Sequence, residues 1–259
     1  MIESKLMRLR SKLRKESATI INQIIKAHIN RNENIHKRQN EICVFCGIAN
    51  NLTKEHILPK WIFWSNPDRT FVNSVNEQSQ PYIKTTVPCC SKCNNDYLGY
   101  LEKHILWLFE DKSDISELDF TDHNMTNIIR WLEIIEYKFQ ILEVRRKFRK
   151  HKNGDFIKYL ADFPISTLVG TGSPSKVISN IRLSLKRITV KSKEKQINSI
   201  VIFKTKNEGF YFFHNMNECI FLDLPKYGIA LFYFYNRIFD DNQEAYNEAM
   251  KIITEFYKE

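Results

Sequence analysis

The sequence predicts an α+β protein, and three patterns carry that reading. Apolar residues recur at helical spacing over positions 4–30 and again over 124–152. From about Val177 onward the period shifts to two, as in strands. Between these regions, two Cys-x2-Cys pairs enclose 43 residues, positions 47 to 89. The chain divides accordingly into a basic helical segment (1–40), a cysteine module (41–110) and an α+β accessory region (111–259).

Whole-chain composition sets the class. The chain has 259 residues, 43% hydrophobic and 13% aromatic, enough for a real core. Seven Gly and seven Pro exclude collagen-like, Gly/Ser-linker and Pro-rich character. No apolar run approaches the ~20 residues a bilayer demands, and the amphipathic first residues lack the apolar stretch of a signal peptide. A cytoplasmic protein with no membrane partner is expected. In that compartment paired cysteines read as metal ligands before disulfides.

Charge is unevenly placed. Residues 1–40 carry ten Lys/Arg against three Glu, which is +7 of the net +9. Such a segment attracts polyphosphate. A solvated face on a basic helix explains any single lysine equally well.

In chain order, Leu6, Leu9, Leu13, Ile20, Ile24 and Ile25 mark the first helix, and the polar stretch Asn30–Asn40 reads as a linker. The cysteine module is loop-rich until its second pair, where a helix from Asn94 to about Phe109 is expected. Residues 110–122 are acidic and turn-like. A long helix then carries Ile128, Ile129, Leu132, Ile135, Phe139 and Leu142 on one face, ending in the basic run Arg145–Lys150 before Asn153-Gly154. Ile181, Leu183, Leu185, Ile188 and Val190 suggest one or two strands. Ile197–Phe203, Phe210–Phe213, Cys219–Leu222 and Ile229–Tyr235 suggest further ones, forming an antiparallel meander closed by a helix over Asn242–Tyr257.

The chemistry concentrates in the module. Cys43, Cys46, Cys90 and Cys93 supply four thiolates on two tight turns, a set that suits structural zinc (Zn²⁺). Cys89 is an alternative to Cys90 at a less common spacing, and Cys219 reads as a core thiol. Closing so long a loop costs entropy that metal binding offsets. Inside the loop lies Lys54-Glu55-His56-Ile57-Leu58-Pro59, and Asn94-Asn95 follows the last cysteine. Glu55 and Asn94 or Asn95 are oxygen ligands suited to a hard cation. His56 is an imidazole able to take a proton from water at neutral pH. His104 reads as helix packing and Glu102 as a salt-bridge residue. Trp61, Phe63 and Trp64 suit either base stacking or a module core.

The order Cys43-x2-Cys46, Glu55-His56-Ile57-x-Pro59, Cys90-x2-Cys93-Asn94-Asn95 resembles the HNH endonuclease family in its zinc-bearing branch, over about residues 41–105. The resemblance implies a ββα-metal module on a treble-clef zinc scaffold. It implies His56 as general base, Glu55 and Asn94 as ligands of a catalytic Mg²⁺ or Mn²⁺, and Asn95 as the alternative to Asn94. The family's middle Asn has no clear match; Asn73 and Asn76 lie in its region, and Glu77–Pro88 looks like an insertion. The implied activity is hydrolysis of phosphodiester bonds in DNA, with RNA left open. Lys54, Lys60, Arg145, Arg146 and Arg149 are the candidate phosphate contacts. An effector nuclease of antiviral defence, held in check by a regulatory protein or an ATPase, is the biological setting the resemblance suggests. The alternative is a non-catalytic, zinc-containing nucleic-acid-binding or assembly protein with a degenerate site.

Overall fold

One helix organises this molecule. α4 (Asp122–Lys147) is buried on every side from Ile128 to Leu142, with the cysteine module against one flank and a β-sheet against another. The computed structural model describes residues 2–29, 42–63, 68, 70–72, 79–110, 120–147 and 174–257. The expected linker 30–40, most of the acidic turn, Trp64, Asn73, Asn76, Arg149 and the helix-ending Asn153-Gly154 lie outside them.

α1 (Ile2–Ile29) forms where the periodicity places it and buries Leu6, Leu9, Leu13, Ile20, Ile21 and Ile24. The module follows. β1 (Leu52–His56) pairs antiparallel with β4 (Thr86–Cys90), Leu52 opposite Cys90 and His56 opposite Thr86. Between them lie a single turn of helix, α2 (Lys60–Phe63), and a two-stranded ribbon of β2 (Thr70–Val72) and β3 (Ser79–Pro81). A π-helical turn over Cys93–Leu98 then opens into α3 (Gly99–Glu110).

Residues 177–189 overturn the strand expectation. They belong to a helix, α5 (Pro174–Thr189). Ile181, Leu185 and Ile188 are buried at helical spacing, whereas Leu183 and Val190, which made the period look like two, face solvent. Three guanidinium groups hold the carbonyls beyond its last turn. Arg14 donates to Thr189 O (2.7 Å), Arg10 to Lys191 O (3.1 Å), and Arg130 to both Val190 O (3.1 Å) and Lys191 O (2.6 Å). Cations there satisfy open carbonyls and oppose the negative end of the helix dipole.

The sheet holds β5 (Ile200–Lys204), β6 (Phe212–Asn215), β7 (Cys219–Leu224) and β8 (Ile229–Phe234), all antiparallel, in the order β5-β8-β7-β6. It is therefore not the simple meander expected. β6, β7 and β8 follow one another by hairpins, but β5 lies on the far side of β8, as in a Greek key. The segment joining β5 to β6 crosses the sheet end and is tied down by the buried carboxylate of Asp223, which accepts from Asn207 Nδ2 (2.6 Å) and Thr205 Oγ1 (3.4 Å).

Alternation along these strands yields two apolar faces. Ile200, Ile220, Leu222, Leu231 and Tyr233 join a core continuous with α1, the module and α4. Val201, Phe213, Phe221, Phe232 and Phe234 pack under α6 (Asn242–Phe256), whose Asp241 cap accepts from Glu244 N–H at 2.8 Å.

α4 carries charge into this core, and each buried charge has a partner. Lys193 Nζ lies 2.6 Å from Glu133 Oε1, which also accepts from Tyr233 Oη at 3.2 Å. Glu136 meets His214 and Arg187 and accepts from Gln140 and the Asn217 N–H. Burial raises the Glu136 carboxyl, but the neighbouring His214 and Arg187 outweigh it and hold the group below the usual range.

Candidate metal centre and active site

Four buried thiols converge at the end of the β1–β4 pair. The sulfur atoms of Cys43, Cys46, Cys90 and Cys93 all lie within 4.8 Å of one another. Cys46 and Cys90 approach to 3.6 Å, far beyond a disulfide bond. A zinc ion with bonds of about 2.3 Å spaces its sulfurs at about 3.8 Å in a tetrahedron, so the donor set and its size fit zinc. The local backbone is built for it. Gly47 N–H donates to Cys43 O (2.7 Å) and closes the first turn at φ +75°, where a Cβ would meet Gln23 Oε1 at 2.6 Å. Cys93 N–H points at Cys90 Sγ, 3.4 Å away. Crowded thiols push one another apart in acidity: Cys43 is driven down by its neighbours, Cys46 rises to about 11, and Cys93 rises further. A cation removes that repulsion by stabilising all four as thiolates.

Cys90, not Cys89, completes the set. Cys89 is buried beside it, with its thiol directed at Cys90 O (3.6 Å). Cys219 is a core thiol, raised to about 12 chiefly by burial.

The centre fixes β1, and β1 presents Glu55 and His56. Successive strand residues emerge on opposite faces. Glu55, on the buried face, meets Lys138 of α4 (Nζ–Oε1 2.7 Å). The same ammonium donates to His56 O (2.8 Å) and lies 3.5 Å from Glu102. Glu102 thus forms the ion pair expected of it. Burial, with Glu55 adding, raises its carboxyl to about 7 against the pull of Lys138. The Glu55 carboxylate, expected on a catalytic cation, is held in this structure by a buried ammonium.

The His56 ring is half-buried, its Nε2 3.2 Å from Ile83 O. A carbonyl only accepts, so Nε2 carries the proton and Nδ1 carries the lone pair. Burial first, then Lys60, holds the imidazolium below its usual pKa, so the ring is neutral at pH 7.

Asn94 sits in the π-helical turn, its carbonyl accepting from Gly99 N–H five residues on. Its Nδ2 donates to Thr53 Oγ1 (2.9 Å), tying the turn to β1; Asn95 is exposed. Lys54 and Lys60 are exposed beside the site, and Arg145 and Arg146 fall in the last turn of α4. Phe63 is a core residue, and Trp61 packs half-buried against the same core. Trp61 stacks on Trp131 (5.7 Å between centroids) and meets Phe109 and Tyr227 edge-on, while Phe63 stacks on Tyr82. His104 stacks on Trp107 and contacts Asn127.

Lys138 and the Ile83 carbonyl are the functional groups the residue pattern did not reveal. One signal existed: a lysine flanked by Tyr137 and Phe139, in a helix with apolar residues on more than one face, must meet a carboxylate if it is buried. Among the described residues no helix is long and apolar enough to cross a membrane. No family model, curated protein or solved structure matches this chain.

Proposed function

We propose that the module is a metal-dependent endonuclease site of the HNH type, hydrolysing phosphodiester bonds in nucleic acid. The observation that carries this reading is the His56 ring, half-exposed, neutral and anchored through Nε2 to a carbonyl so that Nδ1 is left as the proton acceptor. Two antiparallel strands followed by a helix, stapled by four thiols at the strand ends, match the element order of a ββα-metal module. In the reaction, His56 Nδ1 takes a proton from water as its oxygen attacks phosphorus and the bond from phosphorus to the leaving oxygen breaks, that oxygen taking a proton from solvent. The imidazolium remains beside Ile83 O until solvent takes the proton away. A divalent cation bound here would take Asn94 as an oxygen donor, and Glu55 would join it only by leaving Lys138; the cation would supply positive charge to the leaving oxygen. Lys54 and Lys60 stand beside the site as phosphate contacts. DNA is the substrate of choice, and the same chemistry cuts RNA.

A second reading rests on the Glu55–Lys138 pair. An ammonium at 2.7 Å already neutralises the carboxylate, as in a zinc-containing assembly or binding module that no longer cuts. Supercoiled plasmid with Mg²⁺ or Mn²⁺ separates the two. The nuclease reading expects nicking by the native chain and none by His56→Ala, with zinc content unchanged. Equal behaviour of both proteins leaves the binding module as the answer.

A further inference from the structure

α1 and α5 pack antiparallel: Arg14 meets Thr189 near one end, and Asn22 shares a groove with Arg182 toward the other. Between the helices lies an open cavity of about 370 Å³. Its cations are Arg14 from α1 and Arg182 and Lys186 from α5; Ser17 and Asn22 add neutral hydrogen-bonding groups. None of the described side chains lining it is acidic.

Arg182 and Lys186 are four residues apart and both exposed, so they stand one above the other on the same helical face. Like charges at that spacing repel in isolation, and an anion between the helices reverses the sign. The negative end of α5 does not serve as that anion, because Arg10, Arg14 and Arg130 already occupy its carbonyls. From Arg14 to Asn22 the groove follows eight residues of α1, about 12 Å along the axis. An open trough of that length suits a chain passing through more than an enclosed small molecule. Exposed Arg8 and Lys15 continue the positive charge along α1. The same helix packs on its other side against α3 and the π-helical turn that holds Asn94. The trough and the candidate metal site therefore share one rigid element.

We infer that the α1–α5 groove binds phosphate groups of a nucleic-acid strand, with Arg182 and Lys186 as the principal contacts. The inference rests on the nuclease reading for the nature of the strand and not for the phosphate chemistry. The test is fluorescence anisotropy of labelled single-stranded and duplex DNA with no Mg²⁺ or Mn²⁺ added, so that no cutting intervenes and the zinc is kept. The native chain is compared with Arg182→Glu/Lys186→Glu and with the neutral pair Arg182→Gln/Lys186→Gln. Both positions face solvent, and zinc content with the thermal midpoint checks that each variant is folded. The charge reversal is expected to weaken binding at least tenfold. The neutral pair is expected to lower the slope of log K against log salt by about 1.8 on duplex, two contacts at about 0.9 each. ATP is the probe for free phosphate. If ATP raises the native midpoint and not the variants', while DNA binding is the same for all three, the groove takes phosphate but not from a strand, and the strand assignment falls. Unchanged DNA affinity, salt slope and ATP response in folded variants overturn the proposal. A protein that binds DNA without added Mg²⁺ yet never nicks when Mg²⁺ is supplied overturns the nuclease reading and leaves the groove standing.

Discussion

Lys138 Nζ lies 2.7 Å from Glu55 Oε1, and both side chains are almost wholly out of solvent. The contact joins α4 to the strand that carries His56, because the same ammonium also donates to His56 O. Removing one partner of such a pair leaves an uncompensated buried charge. Lys138→Met is expected to lower unfolding free energy by about 3–5 kcal/mol, read from urea midpoints. Glu55→Gln added to it should recover a good part of that loss; no recovery would mean the pair is not the source.

Two carboxylates share that lysine, and Glu102 is the one held near 7. Its folded pKa lies above the ordinary 4.5, so the folded chain holds a proton that the unfolded chain has lost. Stability contributed by protonated Glu102 is therefore full below pH 4.5 and drains away as pH rises toward 7. The expected slope is at most about 1.4 kcal/mol per pH unit, and Glu102→Gln should flatten it. An identical slope in the variant would assign the dependence elsewhere.

The thiol cluster sets the fate of the module. Metal analysis should return one zinc per chain, and Cys90→Ser or Cys93→Ser should lose it. Apparent binding energies of ~10–16 kcal/mol for structural zinc make its removal a large loss. A thermal midpoint more than about 10 °C lower is expected in those variants. Cys89→Ser should keep its zinc, since Cys89 lies outside the four converging sulfurs.

Catalysis carries its own pH signature. With the imidazolium held below 6.5, nicking should be level at neutral pH and fall only in acid, on a limb placed under 6.5. Rates measured from pH 5 to 8 check this. A limb at or above 7 would assign the base to another group.

Trp61 separates packing from base stacking. Its ring lies half-buried on Trp131 at 5.7 Å, so Trp61→Ala should cost about 1–3 kcal/mol of stability. DNA affinity measured without added Mg²⁺ should not change. A tenfold loss of affinity in a folded variant would restore the ring to the nucleic-acid surface.

The linear pattern alone settled much of this molecule. Cys-x2-Cys spacing specified a four-sulfur site because a knuckle is a local structure, complete within a few residues. The helix over α1 was legible because its apolar period samples a single neighbouring surface, and the strands at Cys219 and Ile229 because a short apolar run is what a strand buried on both faces looks like. α5 was misread because exposed Leu183 and Val190 imitate alternation, and only burial tells which leucines a core claims. The place of β5 beside β8 was hidden since hydrogen bonding between distant strands leaves no trace in either one. What tertiary packing decided is the environment of the candidate site. Glu55 meets an ammonium 83 positions away, and His56 leans on a carbonyl 27 positions away. Such pairings set charge and proton position, and they arise from the way α4 crosses the module.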